Sequence, residues 1–196
     1  MRYPVNDAVT IPAVVLAAGA STRLGTPKQL EILGGETLLE RTVRVARAAG
    51  CSPVIVVLGA EYSKVLGNSD LGDVVTVIND KWQEGMGSSV RLGVRTCGFV
   101  AKSAEGVVLM TCDQPTVTVR HLERLMKSRE MTASRYAGRN GVPAYFPAKC
   151  FGELMALQGD KGARELLKNA GHEELEGGDL DVDTADDLER ARKLFR

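Results

Sequence analysis

The sequence predicts a three-layer α/β/α fold, doubly wound in the Rossmann-like manner, with a mostly parallel sheet and one antiparallel excursion. Three observations predict it. Four short runs rich in β-branched residues, AVVLA at 13–17, VIVVL at 54–58, VVTVI at 74–78 and VVLM at 107–110, are continuously apolar rather than alternating, as strands buried on both faces require. Helical spacing appears between and after them, giving the order β-α-β-α-β-α-β-α that right-handed crossovers join into a parallel sheet. Past residue 132 the rhythm changes.

In chain order, the first strand opens into a glycine-rich loop. Leu38, Leu39, Thr42, Val43, Val45 and Ala46, ahead of Gly50, then mark an amphipathic helix. Val90, Leu92, Gly93 and Val94 mark a second helix. Leu122, Leu125 and Met126 mark a third, with Thr118 placed to cap it. Gly138, Asn140, Gly141 and Pro143 lie between two short aromatic-bearing segments within 132–147, which reads as a hairpin inserted in the same domain. Helical stretches are expected near 148–157 and 162–170, then a short strand at DVDT, 181–184, and a last helix over 185–195. With no linker, repeat or low-complexity tract, residues 1–196 read as one domain.

Composition narrows the function classes. Of the 196 residues, 44% are hydrophobic and 26% charged, and 25 Lys plus Arg balance 25 Asp plus Glu. No general positive field exists to attract nucleic acid or anionic lipid, so any anion must be bound locally. No apolar run approaches the roughly 18 residues of a membrane span. Cys51, Cys97, Cys112 and Cys150 are too widely spaced for a C-x-x-C pair or a zinc site and read as reduced thiols. Met1–Pro12 lacks an apolar signal core, so a cytoplasmic location is expected.

The most informative segment is LAAGASTRLGTPK, residues 16–28, directly after the first strand. Gly19 and Gly25 permit close backbone approach to phosphate oxygens and Arg23 and Lys28 supply positive charge, though the same residues suit a plain strand-to-loop connection with surface charges. The spacing is neither G-x-G-x-x-G nor G-x-x-x-x-G-K-[ST], which excludes the dinucleotide fingerprint and the P-loop. VVLMTCDQP, 107–115, puts Asp113 just beyond a buried strand, where ligands bind in open α/β sheets. It suits a Mg²⁺ ligand, although on the residues alone a strand-ending Asp in a turn with Pro115 is the more frequent arrangement. In DVDTADDL, 181–188, strand alternation would point Asp181 and Asp183 the same way, while Thr184 caps the helix and Asp186 and Asp187 favour its N-terminal dipole.

The 16–28 segment resembles the signature LAAGxSxRxGxxK of the MobA-like nucleotidyltransferases, and within them the molybdenum cofactor cytidylyltransferases. CDQP at 112–115, GMGSSVRLG at 85–93, GDKGAR at 159–164 and DVDTADDL at 181–188 are similar to further strings of that family, so the resemblance runs from residue 12 to 195. It implies a nucleotide-diphospho-sugar transferase type of fold and a Mg²⁺-dependent nucleotidyltransferase. Leu16, Ala17, Ala18, Gly19, Arg23 and Lys28 would wrap the nucleotide, with Lys28 on its phosphates. Asn79, Gly87 and Ser88 would lie near the base, with Ser89 either contact or helix cap. Asp113 and Asp183 would bind the metal, with Asp181 as the second choice, and Lys28, Arg23 and Asp113 would carry catalysis. Lys161 and Arg164 would meet the acceptor's phosphate at a helix start that Asp160 caps.

The implied partners are a nucleoside triphosphate, CTP favoured because the loop reads LAAG rather than LAGG, and a phosphorylated small molecule such as molybdopterin. Hand-over of the product to a molybdoenzyme would follow. One position departs from the pattern: the family's GHP is here Gly141-Val142-Pro143, on the side of the hairpin that borders the acceptor, while Pro27-Lys28-Gln29 also resembles the sugar-alcohol phosphate cytidylyltransferases. Another small phosphorylated acceptor, or a carrier that binds without turnover, are the alternatives. The chemistry needs no general base, since a phosphate monoester with a second pKa near ~6 is already largely dianionic at neutral pH. His121 and His172, expected on helix surfaces or ends, therefore receive no catalytic role.

Overall fold

The computed structural model describes residues 10–195, apart from the side chain of Lys161; the expectation placed on the N-terminal segment falls mostly outside them. Four parallel strands form the heart of the sheet: β1 (Ala13–Ala17), β4 (Val54–Leu58), β5 (Val75–Ile78) and β6 (Gly106–Thr111). Three more widen it, β7 (Thr132–Tyr136), β8 (Arg139–Pro147) and β9 (Gly171–Glu174), in the order β5-β4-β1-β6-β8-β7-β9. Only β8 runs against its neighbours β6 and β7; β9 is parallel to β7. A separate two-stranded ribbon, β2 (Ile32–Leu33) with β3 (Glu36–Thr37), precedes the first helix.

Helices α1 (Leu38–Ala48), α2 (Tyr62–Gly67) and α4 (Val119–Lys127) cover one face, where Leu39, Val43, Val65, Leu122 and Leu125 pack on Val15 and Val56. Helices α3 (Met86–Val100) and α5 (Phe151–Met155) cover the other, where Val90, Val94 and Leu154 pack on Val14 and Val57. Every residue of β1 and β4 is buried, which explains why those runs carry no polar alternation. Gly93 lets α3 settle directly on β1: a Cβ there would stand 2.4 Å from Val14 Cγ1. A third cluster joins the ribbon to the last helix, α6 (Ala185–Leu194), through Leu33, Leu38, Val182, Leu188 and Ala191.

Several expectations are corrected. DVDT forms no strand; it crosses the end of β6, with a Val182 N–H bond to the Asp113 carbonyl at 2.9 Å, instead of aligning beside a strand. The stretch 162–170 is not an α-helix: Gly162, at φ +53, ends the 3-10 turn Gly159–Lys161, and within the stretch itself only Leu166–Asn169 forms a 3-10 turn. Helix α2 fills the place that the alternating order leaves for a helix between 58 and 74, whereas strand β9 and the β2–β3 ribbon are too short or too polar to show a period in the sequence. His121 lies at a helix end, in the first turn of α4, but is 1% exposed there with its Nε2 2.7 Å from Ser134 Oγ, and His172 lies in β9 rather than on a helix. The four cysteines are free and buried.

Candidate active site

The crevice of a doubly wound sheet lies where the chain reverses direction across it. Here the chain leaves β1 towards β4 and β5, then returns to place β6 on the other side of β1, so the crevice opens beyond the carboxyl ends of β1 and β6. The glycine-rich loop rises from β1 at this point. Gln29, 1% exposed, holds the loop's start by donating from Nε2 to the carbonyls of Ala17 (2.7 Å) and Gly19 (3.1 Å). Ser21 Oγ accepts the backbone N–H of Lys28 at 3.1 Å, and Gly25 takes φ +81, so the loop folds back and the 3-10 turn Lys28–Leu30 returns Lys28 over the strand ends.

Two remote carboxylates meet that lysine. Asp113 stands two residues past β6, and its carbonyl ties down Val182, with Asp183 next in the chain. Thr184 and Asp187 form a capping box that starts α6 immediately after Asp183 and fixes the direction of its carboxylate. Lys28 Nζ donates to Asp113 Oδ2 at 2.6 Å and to Asp183 Oδ1 at 2.7 Å. Arg23, whose side chain is 71% exposed, donates to the other oxygen of Asp183 at 2.7 Å.

The electrostatics follow from this arrangement. Burial works against the Lys28 ammonium, but Asp113 and Asp183 outweigh it and hold the group above its ordinary range. Burial likewise opposes the Asp183 carboxylate, and Lys28 and Arg23 reverse the balance, holding it below the usual carboxylate range. Asp181 is pushed up to about 6, first by burial and then by the nearby charge of Asp113, despite a hydrogen bond from Gln114. Behind it, Gln114 Nε2 donates to Tyr136 Oη at 3.1 Å, and that hydroxyl donates to the Val142 carbonyl at 3.2 Å, tying the β7–β8 hairpin to the end of β6.

Two cavities adjoin at this cluster and share Lys28, Asp113 and Asp160 as lining. The first, about 350 Å³, is walled by Leu16–Gly19, Trp82 and Ser89. The second, about 570 Å³, is walled by Val142, Arg164, Asp181 and Asp183. Of the residues expected near a nucleotide, Leu16, Ala17, Ala18, Gly19, Lys28 and Asp113 therefore line one cavity together. Arg23 reaches the cluster from outside, through Asp183.

Asn79, Gly87 and Ser88 stand one layer back. The Asn79 amide donates to Ser88 Oγ (2.8 Å) and Ser89 Oγ (2.9 Å), and Ser88 Oγ donates to the Gly85 carbonyl at 2.8 Å, so these groups brace the start of α3. Gly87 packs on the 158–159 backbone, where a Cβ would meet the Gly159 carbonyl oxygen at 3.0 Å. Ser89 rather than Ser88 faces the cavity. Asp160 does not cap its 3-10 turn, and Arg164 faces the second cavity. Trp82, Gln29 and Thr111 were missed as site residues; Trp82 carried a usable signal, as the chain's single tryptophan beside the glycines of 85–87.

Asp113 and Asp183 offer hard oxygens on either side of one cationic nitrogen, a donor set that suits Mg²⁺ or Mn²⁺, which take one or two carboxylates and complete their shells with water and phosphate. Among the described residues no group of three or more His, Cys, Asp or Glu could hold a metal ion.

Fold and comparisons together place this protein among the nucleotidyltransferases. The chain belongs to the MobA-like NTP transferase family, whose domain is matched over residues 13–175. It is 30% identical over 201 residues to the purine catabolism protein PucB of Bacillus subtilis, covering 93% of this chain and 96% of that one. To the nicotine blue oxidoreductase of Paenarthrobacter nicotinovorans it is 31% identical over 175 residues, covering 83% and 84%. The crystal structure of Rv0371c from Mycobacterium tuberculosis superposes with a TM-score of 0.82 at 38% identity over 95% of this chain and 99% of that one, and a manganese complex of Rv0371c has also been solved.

Proposed function

We propose that this protein transfers a nucleoside monophosphate, CMP from CTP, to a phosphate monoester acceptor of the molybdopterin class and releases pyrophosphate. The observation that carries the reading is the meeting of Lys28, Asp113 and Asp183 at the seam of two adjoining cavities. A reaction that joins two phosphorylated molecules needs two adjacent pockets with charge control where they touch. The cavity walled by Leu16–Gly19 takes the nucleoside triphosphate, and the cavity beside Val142 and Arg164 takes the acceptor.

The acceptor's phosphate oxygen attacks the α-phosphorus in line, a P–O bond forms, and the bond to the β-phosphate oxygen breaks with its electron pair leaving on pyrophosphate. The backbone of Leu16–Gly19 orients the triphosphate, and Lys28 and Arg23 oppose the charge that builds on its oxygens. Lys28 stays protonated throughout and acts as a permanent positive charge, in keeping with its raised pKa. Asp113 and Asp183 would hold a divalent cation, which would supply counter-charge to the phosphates. The manganese complex of Rv0371c supports a divalent ion in this family's chemistry.

The CTP preference rests on the LAAG form of the loop and the molybdopterin acceptor on the CDQP and GDKGAR strings. Val142, in place of the family's histidine, puts an apolar side chain in the acceptor wall and favours an acceptor bound there by shape rather than by a charge pair. Pyrophosphate release from the four ribonucleoside triphosphates, each with and without molybdopterin, tests the whole reading. Release that depends on CTP and on molybdopterin supports it. Equal use of GTP sinks the cytidylyl assignment, and release with a sugar phosphate instead of molybdopterin moves the acceptor.

A further inference from the structure

We infer that Lys28 is a resident cation in the divalent-metal site of this chain, so that Asp113 and Asp183 accept a metal ion only as a nucleoside triphosphate draws the ammonium away. The inference rests on the reading of those two carboxylates as metal-holding. It adds an order of events that the reading itself does not require.

Three features lead to it. Lys28 Nζ lies 2.6 Å from Asp113 Oδ2 and 2.7 Å from Asp183 Oδ1, so one nitrogen stands between the two oxygens a cation would need. The far oxygen of Asp183 is held by Arg23 at 2.7 Å. Two carboxylates thus face two cationic side chains that offset their charge, while Asp160 and Asp181 line the adjoining cavity. An ion entering now would meet an ammonium at its own coordination position. Finally, no third carboxylate, histidine or cysteine among the described residues completes a metal site. Mg²⁺ bound through only two carboxylates finishes its shell with water and substrate phosphates, so the phosphates add ligands that the protein does not supply.

The lysine is built to leave. Its backbone N–H is pinned to Ser21 Oγ at 3.1 Å, while its side chain lines both cavities on a flexible four-carbon stem. An ammonium carries three N–H donors, and the two carboxylates occupy two, leaving one for a phosphate oxygen that arrives in the first cavity. Arg23, mostly exposed, can transfer to the phosphates in the same way. Each cation that moves onto the triphosphate uncovers a carboxylate oxygen as the phosphates bring their own negative charge, so nucleotide and metal enter as a coupled pair. Lys28 then serves twice, first as the plug of the site and later as the counter-charge on the phosphates.

The test is titration of Mn²⁺ into nucleotide-free protein, read by the electron paramagnetic resonance signal of free Mn²⁺ and by the metal-induced rise in melting temperature. Wild type is expected to bind weakly. Lys28→Met is expected to bind at least tenfold more tightly and to gain the larger thermal shift, and adding Asp183→Asn to that variant is expected to abolish the gain. Lys28→Gln serves as a second neutral replacement if the methionine variant does not fold. Equal Mn²⁺ affinity of wild type and the neutral variants overturns the inference, as does micromolar binding by nucleotide-free wild type on its own. Pyrophosphate release by wild type, measured on the same preparation, separates the two claims: equal affinities with intact release sink only the plug, whereas absent release with every nucleotide and acceptor sinks the transferase reading.

Discussion

Removing the Lys28 ammonium tests how the cluster is held together. In Lys28→Met, Asp113 and Asp183 lose the bonds at 2.6 and 2.7 Å and face each other as like charges. Breaking a buried pair from one side costs about 3–5 kcal/mol. Here the side chains of Lys28 and Asp113 are 15% and 16% exposed but that of Asp183 is 32% exposed, which brings the expected loss to about 2–3 kcal/mol after solvent screening. For a chain of 196 residues that is a fall in melting temperature of about 4–12 °C. The pH dependence gives the cause away. In wild type Asp183 titrates below its unfolded value, so its contribution is present above about pH 4 and fades as the pH falls through its folded pKa. Lys28 titrates above its unfolded value, so its contribution holds up to about pH 10 and is lost only beyond. In the variant, one of the two facing carboxylates takes up a proton well before an ordinary aspartate would. The stability gap is therefore expected to be full at pH 7.5 and to shrink towards pH 4. Urea unfolding of both proteins at the two pH values measures it. A gap that is the same at both, or absent at pH 7.5, refutes the charge argument.

Three further outcomes are expected. Gly93→Ala should cost about 1–3 kcal/mol, because its Cβ would stand 2.4 Å from Val14 Cγ1, and Val14→Ala in the same chain should recover part of that loss in a double-mutant cycle by chemical denaturation. Gly59→Ala would bring a Cβ within 2.8 Å of both the Ala18 carbonyl oxygen and Trp82 Cβ, so it should weaken nucleotide binding tenfold or more while the fold persists; fluorescence of the single tryptophan reads both, and unchanged affinity would free that wall from the nucleotide site. His121 is held down to about 4, by burial and then by Arg124, so its neutral form contributes stability above pH 6.5 that is lost as the pH falls towards 4, worth on the order of 3 kcal/mol at most. His121→Asn should flatten that slope, and an unchanged slope would assign it to other groups.

Much of the site was legible because its parts lie in local patterns. The strand-loop segment at 16–28 and the acid after the strand at 113 each announce themselves by the residues beside them, and Thr184 as a cap follows from what comes next in the chain. That Asn79 and Ser88, expected near the base, bond each other one layer behind the cavity was not legible, since spacing cannot tell a polar group that faces a pocket from one that braces its wall. That His121 is buried in the first turn of α4 is likewise not a local property, because its partner Ser134 comes from β7.

By itself, then, the sequence determined the parallel sheet and the place of the glycine-rich loop after β1, because continuous apolar runs and glycine spacing act over a few residues. Only the tertiary structure decided that Lys28 bridges Asp113 and Asp183, 85 and 155 positions further along the chain. That contact depends on the crossover that sets β6 against β1 and on the backbone bond between Asp113 and Val182, which carries Asp183 across the strand end. Neither is a property of any short stretch of residues. The same is true of the two cavities that touch at the lysine, since each borrows its walls from distant parts of the chain.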